Sequence, residues 1–275
     1  MRCFYTKIEG VISLKKGLFL AGLVLFSSIS FAGVSFNFKD KAGDDKLTYP
    51  KNAVFVKKAF DLLELNIGED GEDYLFTVKI SADFKNEWKN VNGWDIQMFD
   101  VYMNFGTGKH KQTIAGRNAK LTQGWDKVLV IGPEDNKKMW EREIVSKNKD
   151  VFDDETDGEN LVSDIMLPYT YQLDGKQLTV RVKKTDLPEL QNLKSVQVFL
   201  MGAEGYPSQQ YSYIRNVNAQ NSEWRFGGGS DFDGDPNIVD ILGENDKLKN
   251  YKSSEEASVY PWLDMIPVNS IKKTK

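Results

Sequence analysis

The stretch FDLLELNI‑GEDGED‑YLFTVKIS, residues 60–81, decides the fold. Two apolar runs, 60–67 and 74–81, flank a polar loop that carries Gly68 and Gly71. Short apolar runs bounded by a glycine-containing polar loop read as a β-hairpin. The same grammar recurs outward from it. Residues 169–173 and 177–183 flank Asp174-Gly175-Lys176, a strong turn signal. In the second of these runs Val180 and Val182 alternate with Arg181 and Lys183, which predicts one buried and one wet face. WDIQMFDVYMNF (94–105) reads as a long strand with a bend near Asp100, and WDKVLVI (125–131), WEREIVS (140–146) and SVQVFLM (195–201) read as further strands. Helix is confined to a short turn over 186–190, capped by Thr185, and to residues 245–251. Many short strands separated by turns predict an all-β fold, an antiparallel β-sandwich.

The beginning of the chain reads differently. Lys15 and Lys16 precede the apolar run GLFLAGLVLF (17–26), and small residues follow, with Ser30 and Ala32 at −3 and −1 of a cut before Gly33. That is the pattern of a secretory signal peptide. The apolar run is shorter than the ~20 residues that span a bilayer. The expected organisation is a leader over 1–32, a single β-sandwich domain over 33–268 and a basic tail over 269–275. Such a protein is secreted, periplasmic or held at the cell envelope, with no stable membrane insertion after cleavage.

Charge and composition then exclude whole classes. The formal net charge is −4. The leader holds Arg2, Lys7, Lys15 and Lys16 against Glu9, so its removal leaves a still more acidic chain. Nucleic acid is therefore excluded as a partner, because phosphate binding needs a basic patch. The single cysteine, Cys3, lies in the leader, which leaves no disulfide, thiol nucleophile or thiolate metal site. The single histidine, His110, in the polar run GTGKHKQT, leaves no material for a multi-histidine zinc centre. No Gly-x-Ser-x-Gly, His-Glu-x-x-His or phosphate-loop motif is present. Paired carboxylates could serve a glycosidase, but acidic residues are abundant here and most must be solvated.

Near the end, WRFGGGSDFDGDPNIVDIL (224–242) combines three glycines with Asp231, Asp233 and Asp235. The glycines lack the Lys-Ser/Thr of a phosphate loop. The aspartates open like an EF-hand, but Pro236 stands at position six and Leu242 at position twelve, where glycine and glutamate are needed. Hard oxygen ligands on a turn suit calcium, so Asp231, Asp233 and Asp235 are candidate ligands, with Asp44 and Asp45 from a second acidic cluster (Asp40, Asp44, Asp45) that could meet them. The plain alternative is an aspartate-rich turn whose side chains cap backbone N–H groups. Asp70, Glu72 and Asp73 read as a solvated hairpin tip.

Six tryptophans and eleven tyrosines are many for one soluble domain. Indole faces stack on sugar rings, although tryptophans of a sandwich are more often core. Trp88, in the polar run KNEWKNVNGW, is the best candidate for an exposed ring. Trp94 and Trp125, with Asn92 as a hydroxyl-binding amide, complete the candidate carbohydrate site. Trp224 is expected to pack under the glycine loop.

Several segments resemble one family. They are GDDKLTYP (43–50), the 60–81 hairpin, NGWDIQMFDVYMNF (92–105), AGRNAKL (115–121), YQLDGKQLTVRVKKTDL (171–187), GAEGYPSQQYSYIRNV (202–217) and WRFGGGSDFDGDPNIVDIL (224–242). In this order they resemble the C-terminal binding module of glucodextranase, over roughly residues 34–268. The opening motif is shorter here than in the family, and the module is expected to stand alone, where family members are commonly joined to a glycosidase. The resemblance implies a β-sandwich similar to family 9 carbohydrate-binding modules and DOMON domains. It implies a non-catalytic module that binds α-glucan or cell-envelope polysaccharide. A glycoside hydrolase or transporter that would work with it is unknown. Two competing readings follow. One is a structural protein of the cell envelope, associated with the surface layer. The other is a haem-binding electron-transfer domain, with His110, Met98 or Met103 as axial ligands.

Overall fold

The computed structural model describes residues 33–45, 47–204, 214–230, 234–244, 246–251 and 260–270. The leader expected over 1–32, Asp231, Asp233 and the end of the basic tail lie outside them. In chain order the first strands are β1 (Phe36–Lys39), β2 (Leu62–Asp70), β3 (Asp73–Ile80), β4 (Gln97–Asn104), β5 (His110–Gln112), β6 (Lys120–Trp125) and β7 (Lys127–Ile131). Next come β8 (Phe152–Asp153), β9 (Glu159–Asn160), β10 (Ile165–Met166), β11 (Thr170–Asp174), β12 (Gln177–Lys183) and β13 (Ser195–Gly202). The last are the two-residue strands β14 (Val217–Asn218), β15 (Phe226–Gly227), β16 (Asp240–Ile241), β17 (Trp262–Leu263) and β18 (Ile266–Pro267).

Two sheets carry the fold, as the strand grammar predicts. The first has the order β1-β2-β3-β12-β11, antiparallel throughout. The second has the order β10-β7-β4-β13-β16, with β18 on the far half of β13. Its one parallel pair is β10 with β7. One buried cluster joins the inner faces, with Phe38, Ile67 and Phe76 from the first sheet meeting Phe99, Val101 and Val198 from the second. The molecule is an all-β sandwich.

The founding hairpin is tighter than the sequence suggests. β2 and β3 pair as far as Asp70 with Asp73, so the turn is only Gly71 and Glu72, with Gly71 at φ +59°. Acidic residues enter the strands because cations across the sheet meet them. Glu69 pairs with Lys184 at 2.7 Å, Asp70 with Arg181 at 2.7 Å and Asp73 with Lys183 at 2.8 Å. The hairpin tip is therefore an ion-paired end of the sheet and not simply solvated.

The two sheets differ in their outer faces. On β12, Leu178, Val180 and Val182 are buried and their neighbours are more exposed, which matches the predicted alternation. β4 and β13 are buried along their whole length. A second apolar cluster covers the outer face of their sheet, where Met98, Tyr102 and Phe199 pack against Trp125, Leu121 and Ile144. β4 runs in unbroken register with β13 through Asp100, without the expected bend.

Part of that cover is helical, which corrects the strand expected over 140–146. The helical run starts at Asn136–Lys138, continues as a π-helix over Met139–Val145 and ends in Ser146–Asn148. Asp135 caps it by accepting from the backbone N–H groups of Lys137 at 3.0 Å and Lys138 at 3.3 Å. Pairs four residues apart support it, including Lys138–Glu134 and Lys147–Glu143. The 245–251 expectation holds as a short helix, Asp246–Lys249. No helix of the described residues is long and apolar enough to cross a membrane.

Candidate functional site

The expected tryptophan set separates. Trp94 and Trp125 are 0 % exposed. Trp94 belongs to the inter-sheet core and donates its indole N–H to the carbonyl of Gln97 at 2.8 Å. Trp125 belongs to the outer cluster and donates to the carbonyl of Gln112 at 2.9 Å. Both are amphipathic side chains satisfied inside the protein, and neither face can meet a sugar. Asn92 donates its amide to the carbonyls of Gly132 at 3.0 Å and Glu134 at 2.6 Å, so it ties two loops together.

Trp88 is the member of the set that stays partly exposed, and its partner is Trp224. The two ring centroids lie 6.2 Å apart, tilted by 55°. Trp224 in turn meets the edge of Phe55 at 6.3 Å, and Phe55 packs on Phe60 and Phe226 in the core. Trp224 thus rests on core aromatics with part of its ring open, where the sequence suggested that it lies under the glycines.

The loop that presents Trp88 is held by its own polar residues. Buried Asp95 accepts from the backbone N–H of Trp88 at 3.2 Å and from that of Glu87. Asn86 accepts from the N–H of Asn90 at 2.7 Å and donates to its carbonyl at 3.0 Å. Asn90 reaches the carbonyl of Trp94 at 3.2 Å. Val91 on the same loop is 68 % exposed. On the other side, the exposed pair Asn52–Glu223, at 2.8 Å, flanks Trp224. The result is a pre-organised aromatic surface with amide and carboxylate groups around it.

The glycine loop has structural work. Thr48 and Gly227 exchange backbone hydrogen bonds at 2.9 and 2.8 Å, and a Cβ on Gly227 would stand 2.3 Å from the backbone nitrogen of Asn221. A Cβ on Gly229 would stand 2.7 Å from Asp235. Asp235 accepts from the Ser230 hydroxyl at 2.8 Å and from its N–H, which makes it a turn-capping residue. Asn237 accepts from Val217 N–H and donates to the carbonyl of Gly116, both at 2.9 Å, and so pins the 115–121 loop.

The candidate metal ligands divide as well. Asp45 accepts a hydrogen bond from the Tyr49 hydroxyl at 2.5 Å. Asp235 is taken up by Ser230, and Asp44 has other acidic neighbours. Asp44 meets Asp40 and Asp240, with ligand oxygens all within 4.8 Å of one another. Asp61 lies beside this group and its charge raises the pKa values of Asp40 and Asp44. Burial first, and neighbouring carboxylates second, push Asp40 up to about 7 and Asp240 up to about 9. Asp61 and Asp240 were missed in the sequence because each sits in an apolar run and reads there as a strand-end residue.

A second acidic group is built the opposite way. Arg117 is fully buried and donates to Asp100 from Nε at 2.6 Å and Nη2 at 3.1 Å, and to Glu143 from Nη1. Burial alone would lower its pKa, but Asp100 and Glu143 more than offset this and hold the guanidinium charged. A third group centres on His110, which is 0 % exposed in spite of its polar sequence neighbours. Its Nε2 is 2.8 Å from Asp164 and its Nδ1 is 3.4 Å from Asp153. Lys109 and Lys127 also reach Asp164, at 2.7 and 2.8 Å. His110, Met98 and Met103 are buried in packed or ion-paired surroundings, and Met98 and Met103 face opposite cores.

A search of curated proteins finds no match to this chain. A family model described as the C-terminal binding module, SLH-like, of glucodextranase matches residues 35–260, so the chain belongs to the glucodextranase C-terminal binding-module family.

Proposed function

We propose that this protein is a secreted, non-catalytic carbohydrate-binding module that recognises α-glucan or cell-envelope polysaccharide through Trp88 and Trp224. Family membership carries the reading, since the family is a binding module and not a catalytic domain. The half-exposed indole pair supplies the chemistry, with stacking on a sugar face and nearby amide and carboxylate groups for hydroxyls. Pre-organisation of the 86–95 loop lowers the ordering cost of binding. Affinity is expected to be modest, because sugar hydroxyls exchange water hydrogen bonds for similar ones with protein. The basic, apolar and small-residue pattern of 1–32 supports export.

Affinity electrophoresis against dextran, starch and isolated cell wall tests the reading. Retardation by at least one glycan, abolished in Trp88→Ala with little change in melting temperature, is the expected result. Trp94→Ala should instead destabilise the fold by about 3–5 kcal/mol, as large core truncations do. Absence of retardation on every glycan would overturn the assignment.

A further inference from the structure

We propose that Asp40, Asp44, Asp61 and Asp240 form a binding site for one calcium ion, which ties the first strands to the last part of the chain. The four residues come from separate segments. Asp40 follows β1, Asp44 lies in the next turn, Asp61 precedes β2 and Asp240 opens β16. Backbone N–H groups of other segments hold one oxygen on three of them. Gly243 donates to Asp40 Oδ1 at 2.9 Å, Gly43 to Asp61 Oδ1 at 2.8 Å and Leu62 to Asp240 Oδ2 at 2.7 Å.

The remaining oxygens are what point to an ion. Asp40 Oδ2, Asp44 Oδ1 and Asp61 Oδ2 are buried and accept no hydrogen bond. Asp61 is 0 % exposed and Asp44 8 %. A buried carboxylate oxygen without a donor is costly, and three in one place add mutual repulsion. None of the described ion pairs reaches Asp40, Asp44 or Asp61; Lys41 and Lys249 act on Asp44 only through longer-range attraction. The buried acidic clusters around Arg117 and around His110, described above, have arginine, lysine or histidine in contact. A divalent cation would supply the missing charge and satisfy the oxygens together. The donors are all oxygen and come from irregular segments, which suits the flexible, higher coordination of Ca²⁺ better than the octahedral, water-retaining Mg²⁺.

The site is independent of the tryptophan pair, so each idea can fail alone. The purified protein is stripped with chelator and titrated with calcium chloride, and its melting temperature is followed. Bound calcium is counted by elemental analysis after desalting. One calcium per chain and a saturable rise of about 5 °C or more are expected. Magnesium at equal concentration should give a much smaller rise. Asp44→Asn and Asp61→Asn should lose the calcium response, while melting no lower than wild type in chelator. A wild-type protein with no bound calcium and no shift overturns the proposal. So does a full calcium response in both variants, which would place the ion elsewhere. If the variants fail to fold, the wild-type count and shift still decide. A stripped protein that is indifferent to calcium would mean that the carboxyl groups satisfy one another by sharing protons.

Discussion

Two groups of buried acids show two ways of placing negative charge inside a sandwich. Asp100 and Glu143 lie on either side of Arg117, and all three are 0 % exposed. Around Asp40, Asp44 and Asp61 no basic side chain makes a described ion pair, and buried oxygens lack donors. The first group carries its counter-charge in the sequence; the second, on our proposal, takes one from solution. The first also binds the AGRN loop and the helical run onto the outer face of β4, while the second joins β1 and β2 to β16. Each is a cross-link between distant segments, but only one should respond to the medium.

Arg117→Met is the most severe test. It leaves two carboxylates buried without their cation, and breaking a buried pair in this way costs about 3–5 kcal/mol. Urea denaturation should show that loss, and calcium should not restore it. Calcium rescue would mean that the two groups are interchangeable and would break the comparison.

Asp44→Asn should give a smaller effect whose sign depends on calcium. In chelator the substitution removes one of several like charges and should leave stability equal or raised. With calcium at about 100 times the dissociation constant, wild type gains about 2.7 kcal/mol that the variant does not. The variant should therefore stand level with or above wild type in chelator and below it with calcium. Curves that keep the same rank in both media would remove the distinction between the clusters.

Much of the fold could be read directly, and the reasons are local. The β2–β3 and β11–β12 hairpins announce themselves because alternation and an Asp-Gly or Glu-Asp-Gly turn are properties of neighbouring residues. The helical run was missed because Trp140, Ile144 and their charged neighbours fit a strand poorly and a helix only when Asp135 is seen as its cap. The placement of the candidate site residues was legible in part. Trp88 stood out by its polar flanks, but Trp94 and Trp125 were indistinguishable from it until the second apolar layer was known. In DPNIVD the sequence marks the right motif but not its division of labour. Asp235 caps a turn, Asn237 pins a loop, and Asp240 alone reaches the cluster of Asp40 and Asp44. Such sorting depends on contacts across nearly two hundred residues, which spacing along the chain does not encode.

The mildest test uses the third acidic group, where the counter-charges are partly open to solvent. Burial pushes the Asp164 carboxyl up, but hydrogen bonds from His110, Lys109 and Lys127 outweigh it and hold Asp164 well below the usual carboxylate range. Its folded-state value is therefore lower than the unfolded value of about 3.9. The folded protein binds fewer protons than the unfolded chain in that interval, so the stabilisation is complete above about pH 4 and fades as the pH falls towards the folded value. Asp164→Asn should lose about 1–2 kcal/mol at neutral pH, since Lys109 and Lys127 are partly exposed and can turn to water. The gap between wild type and variant should then narrow as the pH is lowered below 4. A constant gap across that range would show that Asp164 acts by shape and not by charge. Calcium should leave the gap unchanged, because this group, like that of Arg117, already holds its cations.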